Sequence, residues 1–421
     1  MVMQAYDVVI VGASFAGLTL AHHLPKNLRV LVVDAKPEAG STVESTGLIT
    51  TKTRNEFESF FDIDAFITNH ISSIGVVAPG YDDYFISSVK EPWIFQTDTK
   101  GLVKALADRA PSNVTVRTKT VFFGVEDALP VSSVKIQTQG KSLEEIRTRV
   151  LVGADGSHSR VAQATGLERN RRFLFGYEQV FFGQVYLGPC PEETIYHFWF
   201  GEFSLGYGGW LSPTIVDGHK AFRIGLAKLE KDRGQAKDLI RKFIQELLAR
   251  KIISIDGEVE KPGYFFGGLI PIGGVLKNIS KENVILVGDA AGFCGAFAAD
   301  GIKGSVISGK EAAGLILRYL QGEPSVFKEL PKRMNAHGDI MDYYRRQLCY
   351  RWVWDQMCRD ETFRAMYDII NTERDTFLEQ FCDSKDKKKS LTRTVLKPRH
   401  VFRLARYSWL ILSDMVRSLF H

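Results

Sequence analysis

Cysteine is scarce in this chain: there are five in 421 residues, and Cys190, Cys294, Cys349, Cys358 and Cys382 include no CxxC pair. The odd count and wide spacing exclude a zinc-ribbon site and speak against a disulfide framework. A reducing, cytoplasmic setting without a bound metal is expected. Long apolar runs are missing too. None approaches the ~20 residues that a membrane-spanning helix needs, and the first apolar stretch, Val8 to Val11, is too short for a leader. Charge of one sign is modest, a formal +5 spread along the chain with no basic-aromatic repeat, so nucleic acid is not an expected partner. No catalytic triad or paired-carboxylate motif stands out. The 45% apolar and 24% charged composition suits a globular protein, and the length suits two or three domains.

What is present begins at the N-terminus. Tyr6-Asp7-Val8-Val9-Ile10-Val11 reads as a strand buried on both faces of a parallel sheet. Gly12-Ala13-Ser14-Phe15-Ala16-Gly17 follows as a turn, Leu18 to Leu24 as a helix, and Arg29 to Val33 as a second strand ending at Asp34-Ala35. This is a dinucleotide fingerprint with Ser14 in place of the middle glycine. Gly12 permits a tight turn off the strand, and Gly17 permits close packing of helix on sheet. The helix N-terminus offers N–H groups and about half a positive charge to a pyrophosphate, and Asp34 can accept from a ribose hydroxyl. At this point FAD and NAD both remain open.

Two distant segments bear on that choice. Val150 to Gly166 (VLVGADGSHSRVAQATG) delivers Asp155-Gly156 from a strand, with Ser159 and Arg160 opening a helix. Asn283 to Gly301 (NVILVGDAAGFCGAFAADG) delivers Gly288-Asp289 from another strand, and a small-residue stretch leads into a helix from Ile302 to Leu317. An acid at a strand end beside a helix N-terminus can hold a sugar hydroxyl while the helix dipole faces a phosphate or a flavin carbonyl.

The trio GxSxxG, DGxxSxxR and GDAAG resembles the flavoproteins built like para-hydroxybenzoate hydroxylase. The resemblance implies an α/β fold: a discontinuous Rossmann-like FAD-binding domain (1–60, 98–170 and 268–320), an antiparallel β-sheet substrate domain (61–97 and 171–267) and a helical C-terminal region (321–421). It implies FAD as cofactor, with the Asp289 equivalent on the ribityl chain and the following segment beside the isoalloxazine ring. The turn residues from Gly12 to Gly17, Asp34, Ala35, Asp155, Gly288, Gly301 and Ile302 are its remaining expected contacts. Lys100, ahead of a helix from Gly101 to Ala110, stands where the family usually has an FAD-contacting Arg; a solvated helix-start residue is the other reading.

Within that class the chain is similar to the geranylgeranyl reductase family. It shares Asp300-Gly301-Ile302 followed by Ser308-Gly309-Lys310-Glu311-Ala312-Ala313, and a Gly267 to Gly274 segment upstream. Tyr207-Gly208-Gly209-Trp210-Leu211-Ser212-Pro213 resembles its substrate-side YxWxFP motif, with the tyrosine displaced and a serine for the phenylalanine. In the Gly40 to Thr50 segment Ser45 occupies a position where many members have cysteine, and the proline before Asp300 is missing. Related halogenases are echoed by Val43-Glu44-Ser45-Thr46, but only Trp210 of their paired-tryptophan barrier is visible; Lys52 is a conceivable counterpart of their lysine or an ordinary surface residue. The His and Pro that follow GDAA in the aromatic hydroxylases are absent.

The resemblance therefore implies an FAD-dependent oxidoreductase that reduces carbon–carbon double bonds of an isoprenoid or lipid-like, small apolar substrate. Flavin electrons would come from NAD(P)H or another donor. The alternative is a halogenase or monooxygenase acting through a peroxyflavin. Tyr207, Trp210 and Phe297 are the expected substrate-lining residues. Cys294 and Ser45 are the weak catalytic candidates, Cys294 being a proton donor or redox relay on one view and a small buried hydrophobe on the other. Oligomeric state is not legible. Asp383 to Lys389 reads as a charged linker. The helix from Arg399 onward places Arg403, Arg406, Asp414 and Arg417 on one stripe and Val401, Ala405, Leu412, Met415, Val416 and Leu419 on other faces. Such a helix either lies in a membrane interface, making the protein peripheral, or packs on its own protein with the arginines in water.

Overall fold

The strand Ala5–Val11 carries Val8, Val9 and Ile10 without polar interruption, and all three are fully buried. The same holds for Val30–Val33. Runs of β-branched residues with no polar face are what a doubly covered parallel sheet requires. The computed structural model describes residues 4–41, 45–126, 129–188, 194–216, 218–257, 264–382 and 396–418. Two units are distinguished. One comprises Met1–Phe66, Thr97–Phe173 and Ile270–Leu348; the other comprises Ile67–Gln96, Leu174–Leu269 and Cys349–His421. Residues 321–348 group with the first unit and residues 349–421 with the second.

In the first unit the strands run in the order Ser280–Lys281, Val284–Leu286, Leu143–Gly153, Ala5–Val11, Val30–Val33, Val114–Arg117. The last five pair in parallel, with Val11 opposite both Gly153 and Val33, and Gly153 opposite Leu286. Thr120–Val125 and Ser133–Thr138 extend the sheet as an antiparallel excursion off Leu143–Gly153. The helices Phe15–His23 and Gly301–Leu320 lie against each other because Gly309 has no side chain; a Cβ there would come within 2.5 Å of the Ala16 carbonyl oxygen.

In the second unit a seven-stranded sheet runs Tyr264–Pro271, Phe173–Phe181, His219–Leu229, Gly208–Val216, Ile195–Trp199, Ser73–Val77, Tyr84–Ser88. The antiparallel expectation holds for the four central strands and for Ser73–Val77 with Tyr84–Ser88. It fails for Ile195–Trp199 and Ser73–Val77, which pair in parallel. These two strands lie far apart in sequence, so no hairpin fixes their relative direction. The helix Ala236–Ala249 covers one face, where Ile240, Phe243, Ile244 and Leu247 pack on Trp199, Leu211, Phe222, Ile224 and Leu226. Much of the aromatic content of this unit is therefore core. The opposite face carries Glu178, Trp210, Ser212 and Arg223 from adjacent strands.

Candidate active site

Four adjacent parallel strands end at one edge of the first sheet, and each delivers a motif. In open α/β sheets, ligands bind outside such carboxyl ends. Off the Ala5–Val11 strand, Gly12 takes φ +112°, and a Cβ there would stand 2.1 Å from the Ala154 carbonyl oxygen. A Cβ on Gly17 would stand 2.0 Å from the Gly12 carbonyl oxygen. Both glycines are sterically demanded. Ser14 is not a defect: it caps the helix at φ −128°, ψ −162°, extended backbone open to any residue, and its carbonyl accepts the Leu18 N–H at 2.9 Å. Phe15 and Ala16 turn inward and are buried.

Asp34 closes this turn from the next strand. Its Oδ2 accepts the Ala13 N–H (2.7 Å) and its Oδ1 the Lys36 N–H (2.8 Å), which leaves each oxygen further lone pairs for a sugar hydroxyl. Ala35 is exposed beside it. From the Leu143–Gly153 strand, Asp155 Oδ2 accepts the Val161 N–H (3.0 Å), and Ser159 caps the helix Arg160–Thr165 through the Ala162 N–H (3.0 Å). Burial raises the Asp155 pKa against these hydrogen bonds.

The fourth strand delivers Gly288 and Asp289. The Gly288 N–H donates to Ser308 Oγ (2.9 Å), so the Ser308-Gly309 pair of the long helix fastens the Gly288-Asp289 turn. Asn170 Nδ2 bridges the Asp289 (2.8 Å) and Ser157 (3.1 Å) carbonyls, which ties the second and third motifs together. A Cβ on Gly288, which sits at φ +59°, would lie 2.9 Å from Ala16 Cβ, so the first and third motifs also touch.

Asp289, like Asp155, keeps one carboxylate oxygen buried without a partner. In Asp289 that oxygen is Oδ1, and burial, reinforced by the nearby Asp300 charge, pushes the carboxyl up to about 6. A buried carboxylate oxygen left unpartnered costs free energy unless a ligand hydroxyl or N–H reaches it. A Cβ on Gly301 would come within 2.9 Å of that oxygen, so the start of Gly301–Leu320 lies beside it. Ile302 is buried in the first turn. A cofactor with a pyrophosphate, sugar hydroxyls and a flat ring fits these residues: glycine-lined close approaches, two helix N-termini and an acid wanting a donor.

The segment between is held rather than loose. Gln347 Oε1 accepts the Phe297 (3.0 Å) and Ala298 (2.7 Å) N–H groups, and Asp300 Oδ2 accepts from Tyr343 (2.7 Å) and Lys303 (3.0 Å). Cys294 is buried, and burial first, then Asp289 and Asp300, push its thiol well up. Burial of this kind disfavours the thiolate.

Other expected residues fall elsewhere. Ser45 Oγ accepts the Gly47 N–H (3.1 Å) in a local turn, while Val43 and Glu44 lie outside the described residues, as do Cys190, Leu419 and the 383–389 linker. Lys100 is exposed in the first turn of Thr99–Asp108. Lys52 is more than a surface residue: its ammonium donates to the His337 carbonyl, and burial lowers its pKa. Sequence reasoning missed His337 altogether. Its ring sits between Glu56 and Glu311, 2.8 Å from each, and those hydrogen bonds hold it charged up to about 9.

In the second unit, Tyr207 and Trp210 are brought together, with ring centroids 6.0 Å apart. Trp210 Nε1 donates to Glu178 Oε2 (2.7 Å), and Arg223 donates to Glu178 Oε1 (3.2 Å). Gly225 makes room for the indole; a Cβ there would meet it at 2.0 Å. Burial raises the Glu178 pKa, opposed by Arg223. Glu178 was also missed, although a lone acid in the apolar strand Phe173–Phe181 was a usable signal. Phe297 belongs to the first unit.

Comparison with known proteins follows the same lines. Digeranylgeranylglycerophospholipid reductase 1 of Methanothermobacter thermautotrophicus is 25% identical over 93% of this chain and 94% of its own length. A geranylgeranyl bacteriochlorophyll reductase-like structure from Thermoplasma acidophilum superposes with a TM-score of 0.79 at 20% identity, covering 93% of this chain and 98% of that one. The myxobacterial chondrochloren halogenase shares the fold with a TM-score of 0.65 at 14% identity over 90% and 93% of the two chains. Residues 87–325, which include Asp155 and Asp289, match the FAD binding domain family. That span is more than half of the sequence, and the chain belongs to this family of FAD-binding proteins.

Proposed function

We propose that this protein is a cytoplasmic enzyme that reduces carbon–carbon double bonds of an isoprenoid or lipid-like substrate, with electrons entering from NAD(P)H or another donor. The observation that carries the reading is the Gly288 N–H to Ser308 Oγ bond. It joins GDAAG to the Ser308-Gly309 helix, the two segments that resemble the geranylgeranyl reductases, into one construction around Asp289. The near full-length likeness to a digeranylgeranylglycerophospholipid reductase supports it.

Reduced FAD held by these residues would supply the hydride for one alkene carbon, with a proton added at its neighbour. The chain's own residues bind, orient and keep water out. The N–H groups opening Phe15–His23 would hold the pyrophosphate, Asp34 and Asp289 would accept from sugar hydroxyls, and the N-terminus of Gly301–Leu320 would favour negative charge on the flavin. Within the second unit the Glu178 bond fixes the Trp210 indole beside the Tyr207 ring. Little side-chain acid–base machinery is demanded, consistent with a neutral Cys294. Halogenation would ask for a lysine beyond a tryptophan barrier, and Lys52 is committed to the His337 carbonyl.

The test is anaerobic turnover of polyprenyl substrates with product mass spectrometry. A gain of two hydrogens per double bond is expected; product formation only with oxygen, or with oxygen and halide, overturns the reading.

A further inference from the structure

The helix Val401–Ser418 has an inward side and an exposed apolar side. Its inward side is mixed, with Leu404, Tyr407, Ile411 and Met415 half-buried around a buried acid. Asp414 is fully buried, where it receives the Arg359 guanidinium and the Cys358 N–H (3.0 Å). Arg403 donates to Thr372 Oγ1 (2.8 Å), and Tyr407 donates to the Met357 sulfur (3.2 Å). Leu410 is the buried apolar residue of this side. The outer side is a stripe of Phe402, Ala405, Trp409, Leu412 and Val416, recurring at three- and four-residue steps. Its large side chains are 89%, 66%, 60% and 54% exposed. Single exposed hydrophobes are ordinary, but a contiguous apolar face marks an interaction site.

The charges choose the occupant. Between residues 396 and 418 the only acid is Asp414, which is buried and paired. The helix and its approach carry Lys397, Arg399, Arg403, Arg406 and Arg417. Glu373 takes Lys397 and Arg399, and Glu361 stands 3.8 Å from Arg406, so the neighbourhood keeps a positive excess. Arg406 and Arg417 fall on one helical edge, between the apolar stripe and the docked face. A second copy seated on this face in two-fold fashion would set basic rim against basic rim. An anionic lipid surface is instead complementary to both the stripe and its rim. Among the described residues no helix is long and apolar enough to cross a membrane. The stripe runs about 21 Å at 1.5 Å per residue, which suits a helix lying flat with its aromatics at headgroup depth.

We infer that the outer face of Val401–Ser418 docks this protein on the surface of an anionic phospholipid membrane, with Phe402, Trp409, Leu412 and Val416 entering the interface. The inference does not depend on which bond the enzyme reduces.

The test is co-sedimentation of the full flavin-loaded chain with vesicles of phosphatidylcholine alone or with about one-third phosphatidylglycerol. Binding to the anionic vesicles, weakened by salt, is expected. Phe402→Ser with Trp409→Ser should lower that binding about tenfold or more, and Arg406→Glu with Arg417→Glu should remove the preference for anionic lipid. Flavin content and thermal midpoint certify that each variant is folded. Failure of the folded parent to bind, or binding unchanged in the aromatic variant, overturns the inference. So does a lipid-free dimer that this variant abolishes. Because no turnover is read, the outcome is separate from that of the reductase reading.

Discussion

The helices Phe15–His23 and Val401–Ser418 treat their apolar residues in opposite ways. The first buries Phe15, Ala16, Leu18, Leu20 and Ala21 and leaves its N-terminus as the working end. The second buries Asp414 and presents Phe402 and Trp409 to the outside. Only the first could be oriented from its sequence. A strand, a demanded glycine and a terminal acid fix which way it faces, whereas periodicity in the second defines two faces without saying which is inward. Arg359, 55 residues away, decides it by receiving Asp414.

This comparison can be broken at either helix. The largest effect is expected at the first. Asp289→Ala removes the buried acceptor beside the glycine turn, and the purified variant should lose its FAD; a variant that stays fully yellow contradicts the site. At the second, Asp414→Ala leaves the Arg359 guanidinium and the Cys358 N–H without their acceptor and should cost about 1–2 kcal/mol, read as a lower thermal midpoint and faster proteolysis of the last helix at unchanged flavin content. Against burial, the hydrogen bonds from the Cys358 N–H and the Arg359 guanidinium hold the Asp414 carboxyl below its usual 3.8. Its contribution is therefore complete above pH 3.8 and is lost as pH falls below that.

Trp210→Ala should reduce turnover severalfold while FAD stays bound, and unchanged kinetics would remove Trp210 from the site. His337 offers a milder contrast in pH. Its pKa rises from 6.5 to about 9, so its stabilisation is whole below 6.5 and fades as pH climbs through 9. The thermal midpoint should drift down over that range, and His337→Gln should remove the drift; a drift retained in the variant contradicts the assignment. The smallest effect is expected for Ser14→Gly. The extended backbone at Ser14 needs no glycine, so stability should move by no more than about 0.5 kcal/mol, with flavin content unchanged.

Much of the first unit was legible because its grammar is local. Apolar strands end in acids, and Gly17 is forced by a contact within its own turn, although what forces Gly12 is the distant Ala154 carbonyl. The Ser308-Gly309 pair was visible as a motif, though its purpose, holding the Gly288 N–H, needed coordinates. The second unit was harder. Trp210 was picked out, but Glu178, 32 residues earlier, joins it only across the sheet. The parallel pairing of Ser73–Val77 with Ile195–Trp199 has no local signature, since it links strands more than a hundred residues apart. The orientation of the C-terminal helix belongs with these long-range facts.

The claim that Asp289 and its surrounding motifs hold a flavin that saturates double bonds is tested most directly by flavin colour. The enzyme would be reduced without oxygen and mixed with a polyprenyl substrate while flavin absorbance is followed. The account predicts that the oxidised spectrum returns in step with loss of alkene. A flavin that stays reduced until oxygen is admitted would contradict it.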